Sequence, residues 1–311
     1  MNGTHPTLRL RGLRKRFGAR VALAGIDLEL EGPQLVGMAG PDGAGKTTLL
    51  RALAGLLEIE AEEAVVLGWP LGGDVRALKA AIGYVPQAFS LPRDLSVMEN
   101  LRFAGRLHRL EHVEFERRSA ALLERTGLAP FTDRAAGALS GGMKQKLAVS
   151  CALLSEPALL LLDEPTAGVD VMARDEIWQL LRARSTSTLI LLSTSYLEEV
   201  TACDRLVYLD AGRVVAMGSP EELRAAVPLD LYRAWGDDPR AIARAARDLP
   251  YVGDARAIGR YARIEVPRSQ TPGGARVLQD LAALPGAVRL AEPAPIDMEA
   301  TLLHLAREHH A

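Results

Sequence analysis

The most informative segment of the sequence is Gly40-Pro41-Asp42-Gly43-Ala44-Gly45-Lys46-Thr47-Thr48. An apolar run leads into it and a helix-favouring run follows it, so the glycines fall where a buried strand turns into a helix. Glycines let backbone N–H groups close around an anion, and the helix start adds unpaired donors. The pattern predicts a phosphate-binding P-loop. In such a loop Lys46 reaches the β- and γ-phosphates of a nucleotide and the Thr47 hydroxyl holds Mg²⁺.

Length and charge narrow the class of protein. The chain has 311 residues, enough for one large domain and a smaller one, and its formal net charge of −2 gives no basic footprint for a nucleic-acid partner. The most apolar segments, 158–162 and 189–192, are far shorter than the ~20 residues that cross a bilayer, and no signal peptide is evident. We therefore expect a soluble chain. Cys151 and Cys203 lack metal-ligand spacing and are predicted to be reduced packing residues.

The residues before the P-loop predict a small antiparallel sheet. Residues 8–10 and 26–30 have strand character, and residues 35–39 form the buried strand that feeds the P-loop. Phe17 lies on a predicted turn between the first two strands. An aromatic side chain on the solvent side of that turn would stack on adenine, whereas one on the other side would belong to the core. The residues alone leave both interpretations open.

The segment after the P-loop helix predicts a buried strand over 82–87, which ends in a glutamine. The amide of that residue, Gln87, is placed to face the nucleotide, although a glutamine in an ordinary surface loop would look the same. A single helical segment is predicted from residue 95 to about Thr126. Ser96 is its N-cap and Glu99 completes a capping box.

A second helix start with anion-binding character follows at Leu139-Ser140-Gly141-Gly142-Met143. Ser140 and the two glycines precede an apolar helix, which is the arrangement that leaves backbone donors free. A domain with one P-loop has no local use for another phosphate cradle. We therefore expect Ser140, Gly141 and Gly142 to serve the P-loop of a neighbouring subunit.

An acidic pair ends the next predicted strand. Residues 158–162 fit a parallel strand that is buried on both faces, and Asp163 and Glu164 follow where open α/β sheets bind ligands. The pattern predicts that Asp163 organises Mg²⁺ and its water and that Glu164 orients or deprotonates the attacking water. A strand-terminating acidic turn is the alternative. The upstream P-loop favours the catalytic interpretation.

The composition changes after Pro228. The order of predicted elements beyond it is β-α-β-β-α-β, which is typical of a small ferredoxin-like domain. We therefore predict a nucleotide-binding domain over 1–225 and a small α+β accessory domain over 229–311. The sequence leaves open whether the second domain is a regulatory sensor or an appendage that stabilises a dimer.

Taken in order over residues 8–224, these motifs resemble the nucleotide-binding subunit of an ATP-binding cassette (ABC) transporter. The resemblance implies an α/β P-loop NTPase fold with a mixed central sheet, a helical signature subdomain and an antiparallel β subdomain. The matches are Phe17 to the adenine-stacking loop, Gly40 to Thr48 to the Walker A motif, Gln87 to the Q-loop, 139–143 to the signature motif, 159–164 to the Walker B strand with its catalytic Glu164, and 167–170 to the D-loop.

The resemblance also implies cofactors and partners. ATP would lie between the P-loop of one subunit and the signature motif of another, with Mg²⁺ held by Thr47, Gln87 and Asp163. The signature text and the small C-terminal domain resemble ABC-2 type exporters. Integral membrane permease subunits would therefore be partners, and the chain would lie on the cytoplasmic face of the membrane as a peripheral ATPase.

One position departs from the family pattern. The switch histidine is expected after residues 189–192, where this chain has Ser195, as in the first ATPase half of tandem-ATPase multidrug exporters. A serine hydroxyl is shorter than imidazole and carries no charge. We therefore keep two hypotheses, a self-sufficient exporter ATPase and a catalytically weak partner in an asymmetric pair. A DNA-repair or translation ABC protein fits less well, because fewer than a hundred residues separate Walker A from the signature.

Overall fold

The computed structural model describes residues 7–310. The chain divides between Pro220 and Glu221 into two compact units, and the boundary predicted from composition lies a few residues later, at the end of helix α8. In residues 7–310, every helix is too short or too polar to span a membrane. The helices and strands up to α8 are β1 (Thr7–Phe17), β2 (Arg20–Glu31), β3 (Gln34–Ala39), α1 (Lys46–Leu53), β4 (Glu63–Val66), β5 (Trp69–Pro70), α2 (Arg76–Ala81), β6 (Ile82–Val85), α3 (Val97–Leu107), α4 (His112–Arg125), α5 (Gly141–Leu153), β7 (Leu159–Asp163), α6 (Val171–Arg184), β8 (Leu189–Ser193), α7 (Leu197–Val200), β9 (Arg205–Asp210), β10 (Arg213–Gly218) and α8 (Pro220–Ala226).

The central sheet of the first unit is mixed, in the order β10-β9-β3-β8-β7-β6. Its strands are parallel except for β10, which forms an antiparallel hairpin with β9. Every residue of β7 and β8 is buried, as expected for parallel strands with both faces covered. The carboxyl ends of β3, β6, β7 and β8 therefore meet at one edge of the sheet, which is where such sheets bind ligands.

The predicted antiparallel sheet is also present, in the order β2-β1-β4-β5. Leu8 pairs with Leu30 and Leu10 with Leu28, so the apolar side chains of both strands share one face. These four leucines are buried in a core that also contains residues of α1 and the central sheet. The second sheet thereby packs against the P-loop helix and supports it.

The prediction of one continuous helix from residue 95 to about Thr126 is wrong. Ser96 and Glu99 form the predicted capping box, but α3 ends at Leu107 and α4 begins at His112. Arg109 adopts a left-handed backbone, with φ of 54°. The amides of Arg109 and Leu110 donate back to the carbonyls of Arg106 and Gly105, at 3.1 and 2.9 Å. This C-terminal cap ends α3. The left-handed position of the cap is taken by Arg109, whereas a glycine there would have predicted the helix end from the sequence.

Both cysteines are buried and unpaired, which agrees with their predicted packing role. Burial raises the pKa of the Cys151 thiol to about 12. Burial also raises the pKa of the Cys203 thiol to about 12. Both thiols are therefore protonated at neutral pH and are poor nucleophiles.

The second unit has the predicted ferredoxin-like architecture. Its strands form an antiparallel sheet in the order β12-β13-β11-β14, and α9 and α10 cover one face around a core that includes Ile242, Ile264 and Val277. Arg263 and Glu265 alternate with the core residues of β13, so they lie on the other face, where they pair with residues in and just before α11. The elements are β11 (Leu229–Trp235), α9 (Pro239–Ala246), β12 (Asp254–Ile258), β13 (Tyr261–Pro267), α10 (Gly274–Ala282), β14 (Leu290–Ala294) and α11 (Met298–His310).

Candidate active site

The P-loop joins β3 to α1 as its sequence predicted. Gly40 and Gly45 have φ of 153° and 108°, in the region that favours glycine. A Cβ at Gly40 would lie 2.1 Å from the carbonyl oxygen of Leu209, and one at Gly45 would lie 2.7 Å from that of Ala22. Glycine is therefore required at both positions by packing as well as by backbone conformation.

Lys46 is the first residue of α1, and its side chain turns back over the loop. Its ammonium Nζ donates hydrogen bonds to the carbonyl oxygens of Gly40 and Pro41, at 2.6 and 3.2 Å. The residue is buried, and none of its hydrogen bonds within residues 7–310 is to a carboxylate. The positive charge is thus held at the loop by neutral acceptors, which an anion can replace.

Asp163 ends β7 and is fully buried. Its Oδ1 accepts hydrogen bonds from the hydroxyl groups of Thr47, at 2.9 Å, and Ser193, at 2.8 Å. Its Oδ2 is buried and has no hydrogen-bond partner in the part of the chain that the structure describes. A buried carboxylate oxygen needs a donor or a cation, so this atom fits a magnesium ion or a water bound to one.

Glu164 follows with φ of 51°, a left-handed backbone that is uncommon for a residue other than glycine. The Gln87 amide Nε2 donates to one carboxylate oxygen at 2.9 Å, and the Ser195 hydroxyl donates to the other at 2.8 Å. The Glu164 amide donates to the hydroxyl and to the carbonyl oxygen of Ser193. Backbone strain of this kind concentrates at functional sites, and here it turns the chain immediately after Asp163.

A cavity of about 370 Å³ lies against the P-loop. Phe17 is half exposed at its edge, at the β1–β2 turn, and Gln87 and Glu164 line it as well. Arg20 also lines it, beside Gly43. The structure thus brings Phe17, Gln87 and Glu164 to the P-loop cavity. The remaining lining residues are Ala22, Asp42, Ala44, Gly45, Lys46, Thr47 and Thr48.

Tyr84 lies on β6, beside the acidic strand β7. Burial raises the pKa of its phenol; the guanidinium of Arg51 opposes that shift, and the negative charge of Asp163 adds to it. The phenol is therefore uncharged at neutral pH.

The signature residues lie apart from this cavity. Ser140 caps α5 by accepting a hydrogen bond from the Met143 amide at 3.2 Å. Ser140 and Gly141 are exposed, and neither lines the P-loop cavity; a Cβ at Gly142 would lie 2.7 Å from that of Ala173 on α6. The helix start predicted at Ser140 exists, with its exposed end available to another molecule.

Sequence reasoning missed three residues of this region. Arg20 lines the cavity, Ser193 holds Asp163, and Glu199 ties together two loops beside the site. Arg20 has no motif around it, apart from its position three residues after Phe17. The roles of Ser193 and Glu199 depend on contacts between residues about 30 positions apart, at Asp163 and Thr166.

The β3–P-loop–α1 unit, the buried acidic pair and the cavity between them define a P-loop nucleotide-binding domain. Comparison with known proteins narrows this class. Residues 23–167 match the ABC transporter family. The daunorubicin resistance ATP-binding protein DrrA3 of Streptomyces coeruleorubidus is 36% identical over 290 residues, which cover 93% of this chain and 89% of that protein. The chain therefore belongs to the ATP-binding proteins of ABC transporters.

Two further comparisons agree with this assignment. The probable multidrug ABC transporter ATP-binding protein YbhF of Escherichia coli (strain K12) is 41% identical over 273 residues, 86% of this chain. The chain spans only about half of that relative, 47% of its length. A solved ATP-binding subunit of an ABC transporter has a TM-score of 0.65 and 30% identity, covering 70% of this chain and 92% of that one.

Proposed function

We propose that this protein hydrolyses ATP as the energy-coupling subunit of an exporter. The observation that carries the proposal is the convergence of two groups at one sheet edge. Thr47 and Asp163 meet there, with a buried carboxylate oxygen left over, and Glu164 is held beside the P-loop cavity by Gln87 and Ser195. Thr47 and Asp163 suit a metal ion, and Glu164 suits the activation of a water nucleophile.

Magnesium fits the residues present. Thr47 supplies a hydroxyl oxygen and Asp163 a carboxylate oxygen with no donor, which are the hard ligands that Mg²⁺ prefers. Gln87 uses its amide nitrogen on Glu164, which leaves its carbonyl oxygen for the metal or a bound water. When bound, Mg²⁺ would neutralise charge on the β- and γ-phosphates.

The remaining residues have separate roles. The P-loop amides and the Lys46 ammonium would hold the phosphates of ATP in place of the carbonyl contacts that Lys46 now makes. Glu164 would orient water for attack on the γ-phosphorus and accept the proton that the water loses. The bond to the bridging oxygen breaks, and ADP and inorganic phosphate result. Ser195 and Gln87 fix the direction of the Glu164 carboxylate.

A second subunit would complete the site. The exposed N-terminus of α5, with Ser140 and Gly141, lies away from the cavity of its own chain, which supports a role on the ATP of a partner. Closure of such a pair on ATP and reopening after hydrolysis would move permease subunits of the ABC-2 type, by differential affinity for the two states. We place the chain on the cytoplasmic face of the membrane and assign it no nucleic-acid partner.

One observation favours a second candidate, a catalytically weak partner in an asymmetric pair. The family's switch position carries Ser195, and its hydroxyl donates to Glu164 at 2.8 Å. A serine that is engaged with the catalytic carboxylate supplies no charge to the γ-phosphate. The signature motif of such a subunit would still complete the site of a different ATPase.

The test is ATP turnover and ATP binding by the purified chain, with oligomeric state recorded. Lys46→Ala should abolish binding, while Lys79→Ala, a change at an exposed lysine, should not. Glu164→Gln should retain ATP, trap a closed dimer and reduce turnover by ~10²–10⁴-fold, because a general base is lost. Unchanged turnover in Glu164→Gln would refute its role. Turnover that appears only with a second cassette would establish the asymmetric pair.

A further inference from the structure

Glu199 is a buried carboxylate beside the active site that the proposed mechanism does not use. It lies in the short helix α7 and is 5% exposed. One of its oxygens accepts a hydrogen bond from the Thr166 hydroxyl at 2.6 Å, and the other accepts one from the Thr194 hydroxyl at 2.5 Å. Both threonines are themselves buried. The carboxylate therefore has a fixed position between two segments of the chain.

The two threonines belong to the two loops that carry the catalytic groups. Thr166 comes two residues after Glu164, and Thr194 comes directly before Ser195. The loops already meet where the Ser195 hydroxyl donates to the Glu164 carboxylate. Glu199 adds a second connection, so the contacts form a closed ring from Glu164 through both loops and back. A ring of this kind fixes distance and angle, which a single hydrogen bond does not.

The charge of Glu199 is offset by a neighbour on a third segment. The Nε atom of Arg174, on α6, lies 3.7 Å from a Glu199 oxygen, which is too long for a hydrogen bond. The Arg174 guanidinium also covers the ring of Tyr196, 4.6 Å from its centroid. The positive charge of Arg174 therefore stabilises the buried Glu199 carboxylate, and its planar guanidinium stacks on Tyr196, which follows Ser195.

We propose that Glu199 is a positioning residue for hydrolysis, which holds Ser195 and Glu164 in register by tying the loop after β7 to the loop after β8. This inference rests on the proposed ATPase function. Glu199 does not line the P-loop cavity, so it acts through the two threonines and not on the nucleotide. The same tie joins the Ser195 loop to residues 167–170, which follow Thr166 directly. A change at the γ-phosphate would then reach the segment expected to face the partner subunit.

The main test is Glu199→Gln. Its amide NH₂ cannot accept a hydrogen bond from a threonine hydroxyl, so one of the two charge-assisted ties is lost, together with the negative charge that faces Arg174. We expect kcat to fall by about 10–100-fold, because a misplacement of about 1 Å costs up to 10² in rate. The Kd for ATP should stay within about twofold, since the P-loop contacts are untouched. Thr166→Val should have the same effect, and Thr166→Ser, which keeps the hydroxyl, should restore turnover.

The matched control is Glu198→Gln, because Glu198 is adjacent and exposed. A wild-type kcat in Glu199→Gln, or an equal loss in Glu198→Gln, would overturn the proposal. Equal loss in Thr166→Val and Thr166→Ser would overturn it too. Amide hydrogen exchange provides a readout independent of turnover. Amide exchange over residues 193–196 should be faster in Glu199→Gln than in the wild type, and unchanged in Glu198→Gln. Unchanged exchange in Glu199→Gln would refute the tie, whether or not the wild type hydrolyses ATP. An inactive wild type would refute the ATPase function and leave the exchange test in force.

Discussion

The two units each bury charged side chains, but they use them differently. In the first, Asp163 is fully buried and one of its oxygens has no partner within residues 7–310, at the end of the strand that leads to Glu164 and the P-loop cavity. In the second, Arg263 is 1% exposed and its Nε and Nη2 have no hydrogen-bond partner within residues 7–310, but the guanidinium lies among three carboxylates, those of Glu299, Asp297 and Glu265, at 2.9, 3.4 and 3.5 Å. A buried charge marks a ligand site when its surroundings leave it incomplete beside an accessible cavity. Where carboxylates of the same unit surround it, it stabilises the fold.

The largest effect is expected at Arg263. Arg263→Met removes one partner of a buried ionic cluster and leaves Glu265 with Arg307 alone. We expect the second unit to lose about 2–3 kcal/mol of unfolding free energy, because the buried Glu265 carboxylate loses one of its two cationic partners and keeps only the partly exposed Arg307. Denaturant unfolding followed by tryptophan fluorescence measures this loss, with Trp69 and Trp178 replaced by phenylalanine so that Trp235, on β11, is the reporter.

The control for that change is Arg276→Met, at an exposed i,i+4 pair with Asp280, where the expected cost is below about 0.5 kcal/mol. ATP turnover per folded molecule should stay within about twofold in both variants. A tenfold loss of turnover in Arg263→Met would show that the cluster serves the chemistry, and the distinction between the two units would fail.

In the first unit, Ser195 is the residue whose replacement should change turnover upward. Ser195→His should raise turnover by up to about 10²-fold if the missing donor near the γ-phosphate is what limits hydrolysis. Ser187→His, at an exposed serine before β8, is the matched control and should change nothing. The measurement is steady-state turnover of the chain alone and with a second cassette. No gain in either setting would mean that Ser195 is not the limiting defect.

The smallest expected effect is at Phe17. Phe17→Ala should weaken ATP binding by about 1 kcal/mol, roughly fivefold, because the ring is half exposed and stacks on only one face. Val21→Ala is the control, since Val21 is as exposed but does not line the cavity. Titration with a fluorescent ATP analogue measures both. Equal losses in the two variants would argue for general destabilisation of the β1–β2 turn.

The parts of the site that the sequence predicted are those whose residue types dictate the local backbone. The glycines at positions 40 and 45 predict the P-loop, and Ser96 together with Glu99 predicts the start of a helix. The buried strand before Glu164 was equally visible as a run of leucines. In each case the signal lies within a few residues of the structure that it specifies.

The parts that were missed depend on contacts between distant segments or on an atypical residue. The break between α3 and α4 has no glycine or proline, because Arg109 takes the left-handed position itself. Ser193 and Glu199 look like ordinary residues of a strand end and a short helix. Their partners, Asp163 and Thr166, reach them only after the central sheet has formed.

The order of the central sheet has a consequence for engineering. Strand β8 separates β3 from β7, and Ser193, at its end, is in register with Met38 on one side and Asp163 on the other. Neighbouring strands lie about 4.8 Å apart, so the P-loop strand and the acidic strand are roughly 10 Å apart, and position 193 lies between them. Its side chain is fully buried and already contacts Asp163. A larger side chain at position 193 would therefore press on Asp163 without replacing any residue that lines the P-loop cavity.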